Sequence, residues 1–196
     1  MTSLVISIVL GLLLVFWAVG ALGRLNGMRT AQRAAFARID EQIRHRHELI
    51  PGLVETAGGY LPDQRANLEE VIQARNEAVA ACARAAADPS DGDAMRRLVA
   101  AEGLLATAME RMSASSMACP ALVDNLHRSE IDAELTSTEH RLAFARQTYN
   151  DAVHVYNRAL AQFPGSILAR LSGLRRAEPL QAAVSPTDRR QGRSGF

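Results

Sequence analysis

The sequence contains no lysine, so all 22 of its basic residues are arginines. This absence excludes a lysine nucleophile or a Schiff-base lysine. Only two cysteines occur, Cys82 and Cys119, which are too few for a disulfide framework. Strand patterns are scarce, because no alternating run of valine, isoleucine and threonine is bounded by turn residues. Alanine, the best helix former, contributes 34 residues, so the composition favours an all-helical protein.

The first 23 residues carry no charged side chain. Within residues 4–22 only Ser7, Gly11 and Gly20 are not apolar. A helix of this length spans about 28 Å, close to the thickness of a bilayer core. A cleaved signal peptide is the alternative, but it needs a positive n-region and a shorter apolar core. We therefore predict an uncleaved transmembrane anchor over residues 1–23.

Charge is distributed in three blocks behind this anchor. Residues 24–46 carry a net charge of +4, residues 47–169 carry −7, and residues 170–196 carry +4. The acidic middle block disfavours binding to nucleic acid. The first basic block follows the apolar segment, so the positive-inside rule predicts that the N-terminus lies outside. The protein would then be a single-pass protein of the cell (inner) membrane with its main domain in the cytoplasm.

Apolar residues at three- and four-residue steps predict four helices, over residues 24–57, 63–87, 93–118 and 121–163. Short turns connect them, one of them at residues 88–92, so sequential helices should run antiparallel. We predict an all-α fold in which the transmembrane helix is followed by an antiparallel four-helix bundle over residues 24–164, with long first and last helices. Residues 165–196 are rich in proline, glycine and arginine, which predicts a basic and largely disordered tail.

Two segments carry a family resemblance, residues 44–56 and residues 134–164. Their characteristic positions are Arg46, Leu49, Ile50, Pro51, Tyr149, Asn150, Tyr156, Asn157, Phe163 and Pro164. Together with the N-terminal apolar segment, they resemble the LemA family of bacterial membrane proteins. The chain departs from the family pattern at Glu48, where aspartate is usual, and at Gly52, where asparagine is usual. The resemblance implies a helical bundle outside a single membrane span, without an established enzymatic activity.

Two of these motifs have alternative interpretations. Pro51 lies inside a helical pattern, where proline removes one backbone hydrogen bond. It therefore indicates either a kink that bends the helix around the bundle or a hinge that a partner recognises. Tyr149-Asn150 and Tyr156-Asn157 repeat after seven residues, which indicates either packing with buried hydrogen bonds that fix helix register, or a polar face for a partner helix.

The sequence offers little that points to catalysis or metal binding. His45 and His47 are two residues apart and cannot share one face of a helix, and the other histidines are scattered. Sequence motifs for a nucleophile, a phosphate loop or a Cys-x-x-Cys site are absent. We therefore expect no catalytic residues, no metal and no cofactor.

Basic residues flank the predicted bundle at both ends. Arg24, Arg29, Arg170, Arg175 and Arg176 would lie near the membrane and could contact anionic lipid; the alternative is that the first cluster only sets topology. The resulting expectation is a non-enzymatic, membrane-anchored scaffold whose partners are other proteins or itself. The alternatives are a homo-oligomeric signalling or assembly factor and a bundle with an unrecognised ligand or catalytic pocket.

Overall fold

A computed structural model gives the fold and describes residues 2–180 of the chain. The six helices in this part are α1 (Thr2–Tyr60), α2 (Arg65–Ala87), α3 (Gly92–Met117), α4 (Pro120–Val123), α5 (Leu126–Ala161) and α6 (Gly165–Ser172). A short 3-10 turn, Pro62–Gln64, precedes α2. All regular secondary structure of the described residues is helical, as the composition predicted.

Helix α1 is one continuous helix of 59 residues. Its N-terminal part exposes large apolar side chains from Val5 to Val19. By length and composition this part can cross a membrane. The helix passes without a break through the predicted boundary at residue 23 and through Pro51. The apolar segment and the first core helix are therefore parts of the same element.

The last predicted helix is divided in two. Helix α4 ends at Val123, and α5 begins at Leu126. The break has a local cause, because the side chain of Asn125 accepts a hydrogen bond from the backbone N–H of Arg128 and thereby caps the start of α5. In the same way, Asp91 caps α3 by accepting from the N–H groups of Asp93 and Ala94.

The apolar interior consists of two clusters. Helix α1 packs against α5 and α2, and α2 packs against α3. We call the first cluster the proximal core; its largest members are Phe36, Ile39, Ile43, Leu98, Leu142, Tyr149 and Tyr156. The second, the distal core, includes Ile50, Leu53, Leu68, Val71, Leu105, Met112, Leu122 and Ile131. We call the helices around these two clusters the helical body.

The buried face of α2 differs from the predicted stripe. Three- and four-residue spacing in the sequence predicts one face of α2 with Leu68, Ile72, Arg75, Val79, Cys82 and Ala86. Of these, Leu68 and Cys82 are buried, whereas Val79 is exposed. The rest of the buried face consists of Val71 and the small residues Ala74, Ala78, Ala81 and Ala85. Because alanine side chains are small, the backbone of α2 can lie close to the helices that it packs against, α1 and α3. The alanine face of α2 is therefore the buried one.

Residues 165–180, which the sequence assigned to a largely disordered tail, pack against the body in the part of the chain that the structure describes. Helix α6 buries Leu168, and Ala177 and Leu180 belong to the proximal core. Gly165 fits because a Cβ there would lie 2.0 Å from the carbonyl oxygen of Ala159. Gly173 ends α6 with a φ of 67°, a conformation that favours glycine. The rest of the predicted disordered tail, residues 181–196, lies outside the described residues.

Candidate functional site

A group of charged side chains lies between the two cores. Arg46 of α1 forms an ion pair with Glu102 of α3, and its Nη1 lies 2.7 Å from Oε1 of Glu139 on α5. His47 Nε2 lies 3.0 Å from Oε1 of Glu102. His47 is 2% exposed and Glu102 is 5% exposed. We call Arg46, His47, Glu102 and Glu139 the ionic layer, and it connects α1, α3 and α5 by charge rather than by apolar packing.

The environment of His47 keeps its imidazole neutral. Burial, together with the positive charges of Arg46 and Arg75, lowers the pKa of His47 to about 4. A neutral ring with its proton on Nε2 donates to Glu102 and leaves Nδ1 without a proton. This assignment agrees with the buried Nδ1, for which the structure shows no hydrogen-bond partner.

Pro51 affects the same region through the backbone. Proline has no N–H, so the carbonyl of His47, four residues earlier, loses its helical partner. Nε of Arg75 on α2 donates a hydrogen bond of 3.0 Å to this carbonyl. The interaction explains why an arginine lies next to the apolar face of α2. Of the other early motif residues, Ile50 is buried in the distal core and Leu49 packs against it.

A double-mutant cycle tests the link between Pro51 and Arg75. In the native background, Arg75→Met should cost about 1.5–2 kcal/mol, because it leaves the His47 carbonyl unpaired. With Pro51→Ala, residue 51 regains an N–H for that carbonyl, so the same change should cost about 1 kcal/mol less. The measurement is urea unfolding of the full chain in detergent micelles, followed by circular dichroism. Arg84→Met, at an exposed position of α2, is the control; equal costs of Arg75→Met in both backgrounds would disprove the link.

Tyr149 joins three parts of the chain through one hydroxyl. Its Oη accepts a hydrogen bond from Nε2 of Gln32 at 3.3 Å. The same oxygen lies 3.3 Å from the carbonyl oxygen of Pro89 and 3.2 Å from that of Glu178, to which it can donate. The ring meets Phe36 edge to face with centroids 5.6 Å apart. Tyr149 therefore connects α1, the turn before α3 and the C-terminal segment.

The two asparagines bind the backbone of residues 177–180. Asn157 donates to the carbonyl of Ala177 at 2.8 Å and accepts from its N–H at 3.0 Å. Asn150 makes the same pair of hydrogen bonds with Leu180, at 3.1 and 2.9 Å. We call this pair of side chains the asparagine clamp. Neither interpretation from the sequence included this role, because both assumed a helix as the partner.

The remaining predicted residues lie near the apolar end of the body. Phe163 is exposed, but its ring lies 5.6 Å from that of Trp17 in the apolar segment, and Pro164 precedes α6. Of the five arginines predicted to contact lipid, Arg24, Arg170, Arg175 and Arg176 are exposed. The fifth, Arg29, forms an ion pair with Asp88 at 3.8 Å.

Both cysteines are free thiols. Cys82 donates a hydrogen bond of 3.1 Å to Asp40, and burial together with this carboxylate raises the pKa of the thiol to about 12. A thiol that stays protonated is a poor nucleophile. Among the described residues, no group of three or more histidine, cysteine, aspartate or glutamate side chains is arranged to hold a metal ion.

Sequence reasoning missed three residues of these sites, namely Gln32, Glu102 and Glu139. Glu102 had a usable signal, since it lies at helical spacing between Leu98 and Leu105 in the α3 seam. An isolated acid in an apolar seam predicts a buried partner of opposite charge. Gln32 had no comparable signal, because its contacts with Tyr149 and Pro89 join parts of the chain that are distant in sequence.

Comparison with known proteins agrees with the sequence motifs. Curated protein sequences gave no significant match to the chain. The LemA family profile matches residues 35–191, which include the ionic layer, Pro51, the asparagine clamp and the segment that it binds. Because this match covers most of the sequence, the chain belongs to the LemA family.

Proposed function

We propose that the protein is a membrane-anchored, non-enzymatic helical module of LemA type that holds other proteins at the membrane. The observation that carries the proposal is the continuity of α1, which runs from the exposed apolar segment directly into the helical body. A body built on the same helix as its anchor presents its surfaces at a fixed place near the bilayer. Such an arrangement suits a module that positions partners.

The distribution of core residues supports an antiparallel four-helix bundle as part of this proposal. Residues 25–43 of α1 share the proximal core with the end of α2 and the start of α3. Residues 50–57 share the distal core with the start of α2 and the end of α3. Helix α5 begins in the distal core with Ile131 and ends in the proximal core with Leu160, as α2 does. This reversed order is what antiparallel neighbours require.

A non-enzymatic role is supported by the state of the buried charged groups. Glu102 forms a buried ion pair with Arg46 and accepts a hydrogen bond from His47. These contacts give the buried titratable groups a structural use. The thiol of Cys82 is likewise hydrogen-bonded inside the body.

Helix α6 supports a membrane contact at the end of the anchor. It buries Leu168 against the body but exposes Ile167 and Leu171. Phe163, just before this helix, meets Trp17, and aromatic residues are enriched where a span meets water. Arg170, Arg175 and Arg176 follow on the same stretch, where anionic headgroups would contribute about 1 kcal/mol per basic residue. We propose that α6 lies in the interface of the cytoplasmic leaflet and that the N-terminus lies outside.

Crosslinking in native membranes tests this function. After an alkaline wash that removes peripheral proteins, the full chain should remain in the membrane fraction. Crosslinking with mass spectrometry should then give reproducible links from the helical body to other proteins. A variant without residues 2–23 is the control and should be lost in the wash. Links between copies of this chain alone would favour the homo-oligomeric alternative, and loss of the full chain in the wash would disprove the anchor.

A further inference from the structure

We propose that the asparagine clamp is a binding groove for proline-containing, acidic peptide segments of partner proteins, and that residues 177–180 occupy it as an internal ligand. The inference rests on the interaction function proposed above and gives it a site. The groove is formed by Tyr149, Asn150 and Asn157 on α5 and by Arg96 on α3. Its present occupant is the sequence Ala-Glu-Pro-Leu.

Recognition in this groove is directed mainly at peptide backbone. The two asparagines satisfy both the N–H and the C=O of residues 177 and 180, and Tyr149 lies within hydrogen-bond distance of the carbonyl of Glu178. Every peptide carries these groups, so the contacts do not depend on the identity of the side chains. A peptide from another chain can therefore make the same hydrogen bonds.

The spacing of the clamp selects a conformation. Asn150 and Asn157 are seven residues apart, which is about 10.5 Å along a helix. They bind residues three apart, and three residues of polyproline II rise about 9.3 Å and complete one turn. In a β-strand, residues i and i+3 would pair with opposite edges. Pro179 favours polyproline II in two ways: its ring fixes its own φ at about −65°, and it pushes the preceding residue, Glu178, towards an extended conformation. The preferred ligand therefore contains proline and binds as polyproline II.

Three side chains of the occupant define the sequence preference. Ala177 and Leu180 are 3% and 5% exposed, so the groove has a small and a larger apolar position three residues apart. The carboxylate of Glu178 pairs with Arg96. Gly92 leaves room for this carboxylate, since a Cβ there would lie 2.9 Å from its Oε1. The preferred ligand is a small residue, an acid, proline and a large aliphatic residue, in that order.

The internal ligand is short, and its release exposes little apolar surface, so it can be displaced. It buries only two apolar side chains, one of them an alanine. It follows Gly173 and the exposed residues Arg175 and Arg176. A partner peptide at high local concentration on the same membrane would compete with it.

The test uses the full chain in nanodiscs and two variants with an open groove. One variant ends after Arg176, and the other keeps the full length but carries Leu180→Asp, which places a charge in the apolar position. The probe is a fluorescent peptide with the sequence of residues 174–180, followed by fluorescence anisotropy. Both variants should bind it saturably, at least tenfold more tightly than the native chain does.

Substitutions in the groove should remove this binding. Asn150→Ala with Asn157→Ala in the truncated chain should weaken it at least tenfold, while Gln147→Ala, at an exposed position of α5, should leave it unchanged. A peptide with Glu178→Lys should bind several-fold more weakly unless Arg96→Glu is introduced as well. Circular dichroism establishes that each variant keeps its helical content. Absence of binding to both folded, open variants would overturn the proposal.

Displacement in the chain with its segment in place gives a second readout. With Cys119→Ser and Leu180→Cys, the buried position 180 should be alkylated several-fold faster when the peptide is in excess. Another outcome is that the groove of the truncated chain is filled only when this chain dimerises with the full-length chain. In that case the occupant is a segment of a second copy, and the proposal of a partner peptide is overturned. Failure of peptide binding alongside hetero-crosslinks elsewhere on the body would refute the groove and leave the proposed function intact.

Discussion

Glu102→Ala should lower the free energy of unfolding by about 3 kcal/mol, one of the two large stability effects expected from the ionic layer. Removal of one partner from a buried ion pair costs about 3–5 kcal/mol, because the other charge remains buried. The lower end applies because Arg46 keeps its contact with Glu139, whose side chain is 45% exposed. Urea unfolding of the full chain in micelles, followed at the helical circular dichroism band, measures the loss.

A control and a rescue make the result specific. Glu110→Ala changes an exposed glutamate of the same helix and should cost less than about 0.5 kcal/mol. The combined replacement Arg46→Met, His47→Leu and Glu102→Leu should recover most of the lost stability, because apolar residues of similar volume replace buried charges without desolvation cost. If Glu102→Ala is as mild as Glu110→Ala, the buried ion pair does not exist in solution.

The second large effect is a loss of stability at mildly acidic pH that comes from His47. Its pKa is about 4 in the folded chain and about 6.5 when the chain is unfolded. Between these values the unfolded state binds the extra proton, so stability decreases as the pH falls from about 6.5 towards 4. A difference of this size corresponds to a loss of about 3 kcal/mol. Above pH 6.5 this histidine contributes no pH dependence.

Urea unfolding at a series of pH values measures this effect. In His47→Gln the slope between pH 6.5 and 5 should become nearly flat, since glutamine does not titrate and its amide can still donate to Glu102. His154→Gln removes an exposed histidine of α5 and should leave the native slope unchanged. A slope that persists in His47→Gln would assign the acid sensitivity to other groups.

Local patterns predicted the parts of the fold that local interactions determine. Three- and four-residue spacing predicts one face of α1 with Phe36, Ile39, Ile43, His47, Ile50, Val54 and Ala57. All of these residues are buried except Val54, which is half-buried. The turn at residues 88–92 also separates two helices, because Pro89 follows the end of α2 and Asp91 caps the start of α3. In α2 the same spacing identified the buried Leu68 and Cys82, but it included the exposed Val79 and left out the four alanines that form most of the buried face.

The candidate sites depend on contacts between distant residues, which the pattern of one helix does not contain. Asn150 and Asn157 were recognisable as a heptad pair, but their partner is 20 to 30 residues away in a segment without periodicity. That segment resembles a disordered tail in composition. Its order comes from hydrogen bonds between its backbone and side chains of α5, which its own sequence does not reveal. Arg75 is a similar case, because its acceptor exists only as a result of Pro51 on another helix.

The unbroken course of α1 has a mechanical consequence. The helix is about 89 Å long at 1.5 Å per residue, and no loop lies between the apolar segment and the residues that line both cores. In the membrane-anchored arrangement proposed above, the rotation of this helix about its axis therefore determines which side of the body faces the bilayer. One residue inserted between Arg24 and Gln32 would turn everything beyond it by about 100° about the axis and remove α6 from its place beside the apolar segment. Under this proposal, the number of residues in one helix sets both the distance and the rotation of the body relative to the membrane.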